Sequence, residues 1–209
     1  MQKFLLVFLL LYLSLPVYGA EDMIIKLPKP KEKGAISLEE TIKKRRSERS
    51  FSSKELTLGE ISQLLWACQG ITDERKGFRS APSAGATYPL EIYIVKSDGI
   101  FQYLPSAHSI KRLHDKDIRP ELTQACLGQN FVKDAPLDIV ICADFKRTTS
   151  HYGKRGEQYV YIEAGHAAQN IHLQAVSEGL GSVPVGAFMD EAVKDVLNLP
   201  KDIVPLYII

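Results

Sequence analysis

The chain has 209 residues, 45% hydrophobic and 24% charged, which is enough apolar material for a sizeable single core and too much for a disordered segment. Its 26 Lys and Arg against 25 Asp and Glu leave a formal charge of +1, with no footing for nucleic acid, so any cationic site must be local. Three cysteines, Cys68, Cys126 and Cys142, stand far apart with no C-x-x-C pair, which argues against a disulfide framework and for small buried apolar residues.

Residues 1–20 carry Lys3, an apolar run and a small-residue stretch before Glu21, the pattern of a Sec-type signal peptide. Export to the periplasm or the cell exterior follows as an expectation, with an uncleaved anchor as the alternative and no other membrane insertion. Residues 21–36 include K-L-P-K-P-K-E-K and read as a flexible lead-in, so the folded domain is expected over residues 37–209.

Ser37 with Glu40 forms one capping pattern and Thr57 with Glu60 another, each opening a helix; Gly70 is placed to stop the second. Two strands, residues 90–95 and 100–104, flank Ser97-Asp98-Gly99, a hairpin turn. A helix from Pro120 to about residue 127 follows, then a buried strand over 137–143. A long helix is expected over 158–178, closed by Gly179, then a short strand over 181–186, a helix over 190–197 and a last strand over 203–209. Helices and strands alternate irregularly, which makes the fold class α+β.

Three constellations carry chemistry. Arg45-Arg46-Ser47-Glu48-Arg49 ends the first helix, and arginine forks beside a serine hydroxyl suit a phosphate; a solvated basic helix end is the plainer reading. Pro82-Ser83-Ala84-Gly85-Ala86 would let backbone approach a flat ligand, or is simply a small-residue turn feeding a strand. Gly186-Ala187, after a glycine-punctuated stretch, can offer N–H groups to a ring nitrogen or oxygen. Together they narrow the ligand to a planar, phosphorylated cofactor. Glu163-x-x-His166 has the spacing of a helical metal pair, but it stands alone, and Glu163, His166 and His172 are read as hydrogen-bonded core positions, with no metal site.

R-R-S-E-R-S-F, S-A-P-S-A-G-A-T-Y-P-L-E-I-Y, E-A-G-H-A-A-Q-N and G-L-G-S-V-P-V-G-A-F together resemble the nitroreductase-like FMN flavoproteins, and more narrowly the SagB/ThcOx-type subgroup, over roughly residues 37–209. The resemblance implies an α+β nitroreductase-like fold, a central mostly antiparallel sheet flanked by helices, in an obligate homodimer with FMN at the interface. It implies an oxidoreductase passing hydride through flavin N5 between an electron donor and a small organic substrate. Under it, Arg45 and Ser47 hold the phosphate and ribityl chain, with Arg46 in the same cluster, and Arg49 faces the pyrimidine side of the ring. Pro82, Ser83, Ala84 and Gly85 lie along the ring, and a backbone N–H of Gly186 or Ala187 reaches N5.

The chemistry would be the flavin's, so no catalytic side chain is expected beyond substrate-side His151 and Tyr152. Azoline-oxidising members of the subgroup carry Lys-Tyr where this chain has His151-Tyr152, which counts against oxidative tailoring of peptides. Members of the family also continue past the position of Ile209, and an ending there would thin the phosphate shell. Export would exclude nicotinamide cofactors as donor. A flavin-binding or partner-binding protein without turnover is one alternative, and oxidative tailoring of peptide azolines the second.

Overall fold

The computed structural model describes residues 23–209. The expected export segment lies outside them. Strand β1 (Ile24–Lys26) is followed by helices α1 (Leu38–Lys44) and α2 (Leu58–Gln69) and the short strands β2 (Ile71–Asp73) and β3 (Phe78–Arg79). Strands β4 (Leu90–Lys96), β5 (Gly99–Leu104) and β6 (Ser109–His114) come next, then helices α3 (Arg119–Ala125) and α4 (Phe131–Asp134). Strand β7 (Asp138–Asp144), helices α5 (Phe145–Tyr152), α6 (Arg155–Ser177) and α7 (Asp190–Leu197), and strand β8 (Ile203–Ile208) complete the chain.

The main sheet has the order β1-β6-β5-β4-β7-β8, every pair antiparallel. Both of its faces are covered, because successive side chains of a strand point to opposite sides. Ile92 and Ile94 of β4 with Ile139 and Ile141 of β7 join Leu64, Leu65 and Ile171 from α2 and α6. Tyr93, Val95, Val140 and Cys142 point the other way, onto Leu122, Val193 and Leu197 from α3 and α7. Ala164, Ala167, Ala168 and Ala175 keep α6 close to the sheet, and its 23 residues span about 34 Å, so one helix backs several loops. All three cysteines are free and buried, as composition suggested.

Both capping patterns form: the Ser37 side chain accepts from Glu40 N, and Thr57 and Glu60 make the full reciprocal box. The lead-in departs from expectation. Its β1 pairs with β6, Leu27 is buried, and Lys31 exchanges two hydrogen bonds with the Gln63 side chain, 2.8 and 3.1 Å. His108 completes the attachment: Nε2 reaches Pro28 O (3.0 Å) and Ser62 Oγ (2.8 Å), and Nδ1 meets the Tyr103 hydroxyl (2.9 Å). The strand expected over 181–186 is also absent. Pro184 has no N–H for a ladder, and the segment makes only two isolated bridges, Ser47 with Ser182 and Val185 with Ile208.

Candidate functional site

The basic segment leaves α1 at Arg45, whose N–H caps Thr41 O at 2.9 Å, and is fastened alongside residues 181–187. Ser47 bridges Ser182, and Glu48 N donates to Ser182 O at 3.0 Å. The Ser182 hydroxyl meets His172 Nδ1 of α6 at 2.7 Å. His172 is buried, and desolvation with the nearby Arg45 charge holds its pKa below the ordinary imidazole value, so the ring is kept neutral. Its Nε2 has no hydrogen-bond partner, so His172 is only partly the satisfied core residue expected; His166, also expected in the core, is exposed.

The arginines divide. Arg46 turns back, and its Nη1 donates to Lys43 O and Arg45 O, at 3.0 and 2.7 Å, at the open end of α1. The Arg45 and Arg49 guanidinium groups form no ion pair among the described residues, and Arg49 lies over the Phe131 ring at 5.9 Å. Beyond Phe131, Gln129 Nε2 donates to Ala187 O (2.9 Å), which brings Arg49 and the Gly186-Ala187 pair to one side of the molecule. Both residues of that pair are exposed, and among the described residues their N–H groups have no acceptor.

The Pro82–Gly85 segment runs into a tight turn, with Gly85 at φ 60°, Ala86 at 52° and Tyr88 at 45°. Tyr88 N donates to Ser83 Oγ at 2.9 Å, and Pro82 and Gly85 face solvent. The small residue at 85 has an internal cause that the sequence did not reveal: a Cβ there would lie 2.6 Å from the Tyr152 hydroxyl. Tyr152 and His151 sit exposed at the end of α5, Tyr152 edge-on to Tyr159 (5.2 Å between centroids), so an aromatic group borders the turn.

Behind the turn lies a buried polar cluster that sequence reasoning missed. Arg79 of β3 donates to Gln69 Oε1 (2.9 Å) and stacks over the Tyr88 ring at 4.5 Å. Burial pushes the Glu163 carboxyl of α6 up to about 7, against Ser83, Arg79 and Gln69, which favour its charged form. The available signal was a Glu between apolar helix positions, followed directly by Ala164.

A cavity of about 380 Å³ adjoins the arginine segment, bounded by Glu48, Phe51, Leu56, Phe131, Ile171 and Ser182. None of the ten predicted cofactor-binding residues lines it; they lie on open or half-buried surface. FMN fits what they offer: unpaired cations beside a hydroxyl at one end, free N–H groups at 186–187, and an open small-residue turn.

Residues 42–209 match the nitroreductase family. The chain belongs to the nitroreductase family. A Methanocaldococcus jannaschii protein bearing the name nitroreductase is 47% identical over 187 residues, covering 87% of this chain and 92% of the relative. A solved structure from Ralstonia eutropha JMP134 under the same name superposes with a TM-score of 0.82 at 30% identity, covering 91% of this chain and 89% of that one. A trifolitoxin operon protein of Rhizobium leguminosarum bv. trifolii is 24% identical, and the NADPH-dependent FMN reductase of Bacillus subtilis 28%; they cover 88% and 80% of this chain. The chain spans only 58% and 62% of those two. The protein is thus a nitroreductase-family flavin oxidoreductase with the expected α+β fold. Its SagB-type likeness rests on the more distant of these relatives.

Proposed function

We propose that this protein is an FMN-dependent oxidoreductase, acting as a homodimer, that carries electrons from a donor to a small organic acceptor. One observation carries the reading: Arg45 and Arg49 stand without anionic partners on a segment fastened to the Ser182–Ala187 stretch, whose terminal N–H groups are free. When bound, FMN supplies the hydride chemistry, at N5 of its ring.

The chain's part is to bind, orient and exclude water. Arg45 and Ser47 would take the phosphate by charge-assisted hydrogen bonds, and neutral His172 behind Ser182 adds no competing cation. Arg49 would stabilise negative charge on the pyrimidine side. Pro82, Ser83, Ala84 and Gly85 would back the ring, and Gly186 or Ala187 N–H would fix its orientation. Arg46 would join Arg45 and Ser47 through the guanidinium nitrogens that its Nη1 contacts with the helix end leave open.

A dimer is supported by exposed apolar side chains on neighbouring helices: Leu38 and Ile42 of α1 at 60% and 56% exposure, Tyr161 and Ile162 of α6 at 58% and 52%. With His151 where azoline oxidases carry lysine, the acceptor is a small molecule rather than a peptide azoline. For residues 1–20 the reading is export, and the donor is then not a nicotinamide cofactor.

The test is the absorption spectrum of the purified protein, with its released chromophore identified by mass, followed by anaerobic reduction and reoxidation with nitroaromatic and quinone acceptors. Flavin bands, an FMN mass and repeated turnover are expected. A protein that neither carries nor rebinds FMN overturns the proposal, and one that binds FMN without turnover is a flavin-binding protein only.

A further inference from the structure

The cluster behind the 82–85 turn has no part in holding a phosphate or presenting an N–H group, yet it concentrates buried polarity. Arg79 Nε from β3 and Glu163 Oε1 from α6 have no hydrogen-bond partner there, and Gln69 Nε2 from α2 lies against the Glu163 carboxyl without a well-formed hydrogen bond. Gln69 and Glu163 are 0% and 2% exposed. Unpaired buried polar groups are costly, so a cluster of them calls for an explanation. Ser83 links it to the turn. Its Oγ already accepts from Tyr88 N, which leaves the hydroxyl hydrogen for the Glu163 carboxyl.

We propose that Glu163 is a positioning and proton-holding residue of the flavin site: it fastens the Ser83 turn and takes up one proton when two electrons reach a flavin lying on that turn. The proposal rests on the FMN reading above. In the balanced step, two electrons come from the donor, or from dithionite in the cuvette. One proton goes to the flavin and a second to the Glu163 carboxylate, which becomes neutral; both protons are released on reoxidation.

The physical cause is that negative charge arriving beside a buried carboxylate raises its proton affinity further, in surroundings where screening by water is weak. Burial has already brought the group to about 7, so a modest push crosses neutral pH. Groups facing it are Arg79 from β3, Cys68 and Gln69 from α2, and Ser83 from the turn; Arg79 in turn faces Tyr88, Glu91 and Arg147. Of these, only Arg79 carries a fixed charge near the carboxyl, and its burial holds it below its ordinary proton affinity.

The experiment is a spectroelectrochemical titration of the full chain loaded with FMN, from pH 6.5 to 9, for the parent and Glu163→Gln. In a two-electron couple each coupled proton contributes about 30 mV per pH unit, the equivalent of a tenfold change in proton activity. The parent should show a two-proton slope of about 60 mV per pH unit above neutral, and Glu163→Gln a one-proton slope of about 30. Equal slopes overturn the proposal. If Glu163→Gln does not fold, difference infrared on the parent decides: a protonated-carboxyl band appearing on reduction at pH 8 supports the assignment, and no such band overturns it. A chain that takes up no FMN overturns the functional reading itself, whereas FMN binding with equal slopes removes only this inference.

Discussion

Replacing Gly85 by alanine tests whether the turn is built as described. The backbone at Gly85 is left-handed, φ 60° and ψ 17°, and an L residue there costs about 1–2 kcal/mol. The new Cβ would lie 2.6 Å from the Tyr152 hydroxyl and 3.3 Å from its ring. That hydroxyl is the tip of a side chain 37% exposed, so Tyr152 can swing away at the expense of its edge contact with Tyr159, worth about 0.5–1.5 kcal/mol. Together these give about 1.5–3.5 kcal/mol, which for a domain of this size lowers Tm by roughly 3–14 °C. Circular dichroism melts of the apoprotein measure it. Adding Tyr152→Ala to Gly85→Ala should cost less than the two single changes summed, because the clash is removed once, while the backbone cost persists. A Gly85→Ala protein melting within 1 °C of the parent (roughly a quarter to half of a kcal/mol), or strict additivity in the double variant, would refute the claim that Tyr152 dictates the small residue.

Arg45→Ala should weaken FMN binding by about 1.5–3 kcal/mol, roughly tenfold to a hundredfold in Kd, and Arg46→Ala by less, because its Nη1 is held on helix carbonyls; flavin fluorescence titration separates the two. The Glu163 carboxyl is raised from 4.5 to about 7, so its contribution to stability is fully present below pH 4.5 and is lost as pH rises through 7. Urea midpoints of the parent should therefore decline across that window relative to those of Glu163→Gln, and parallel curves would contradict the burial. His108 has the opposite sign: burial lowers its pKa from 6.5, so the stability of the docked lead-in is lost as pH falls below that value, and hydrogen exchange at β1 should accelerate there. Thr57→Ala, which removes the side-chain half of the capping box and leaves Glu60 on the backbone N–H, should cost about 0.5–2 kcal/mol by urea denaturation.

What was legible in the sequence was local chemistry. The capping boxes at Ser37 and Thr57, the turn at Ser97-Asp98 between β4 and β5, and the amphipathic α7 are all decided within a few residues, and each forms where its signal stands. Docking of the lead-in could not be read that way. Leu27 is buried and Pro28 bonded to His108 only because β6 returns past α2, a contact 80 residues distant in sequence. β6 itself, Ser-Ile-Lys-Arg-Leu-His, lacks the apolar run that marked β7, and it is a strand because β5 and β1 flank it.

For the site, residue type told less than backbone direction. Arg45 and Arg46 are chemically identical neighbours just past the end of α1, but the Arg45 guanidinium forms no ion pair among the described residues, and Arg46 is bent back onto the carbonyls of Lys43 and Arg45. The small residues at 82–86 invited a ligand explanation, and for Gly85 the structure supplies a sufficient one from within the fold, so flatness of the ligand rests on the open face of the turn rather than on that glycine. Glu163 inverts the usual expectation. On an exposed helix a glutamate is solvated and uninformative, but α6 is packed by the sheet, α2 and α5, which turns the polar residues on its inner faces into buried ones. A carboxyl forced inside behind the Ser83 turn is costly to the apoprotein. A group tolerated at that cost, within reach of Ser83, is where proton uptake can be tied to electron arrival.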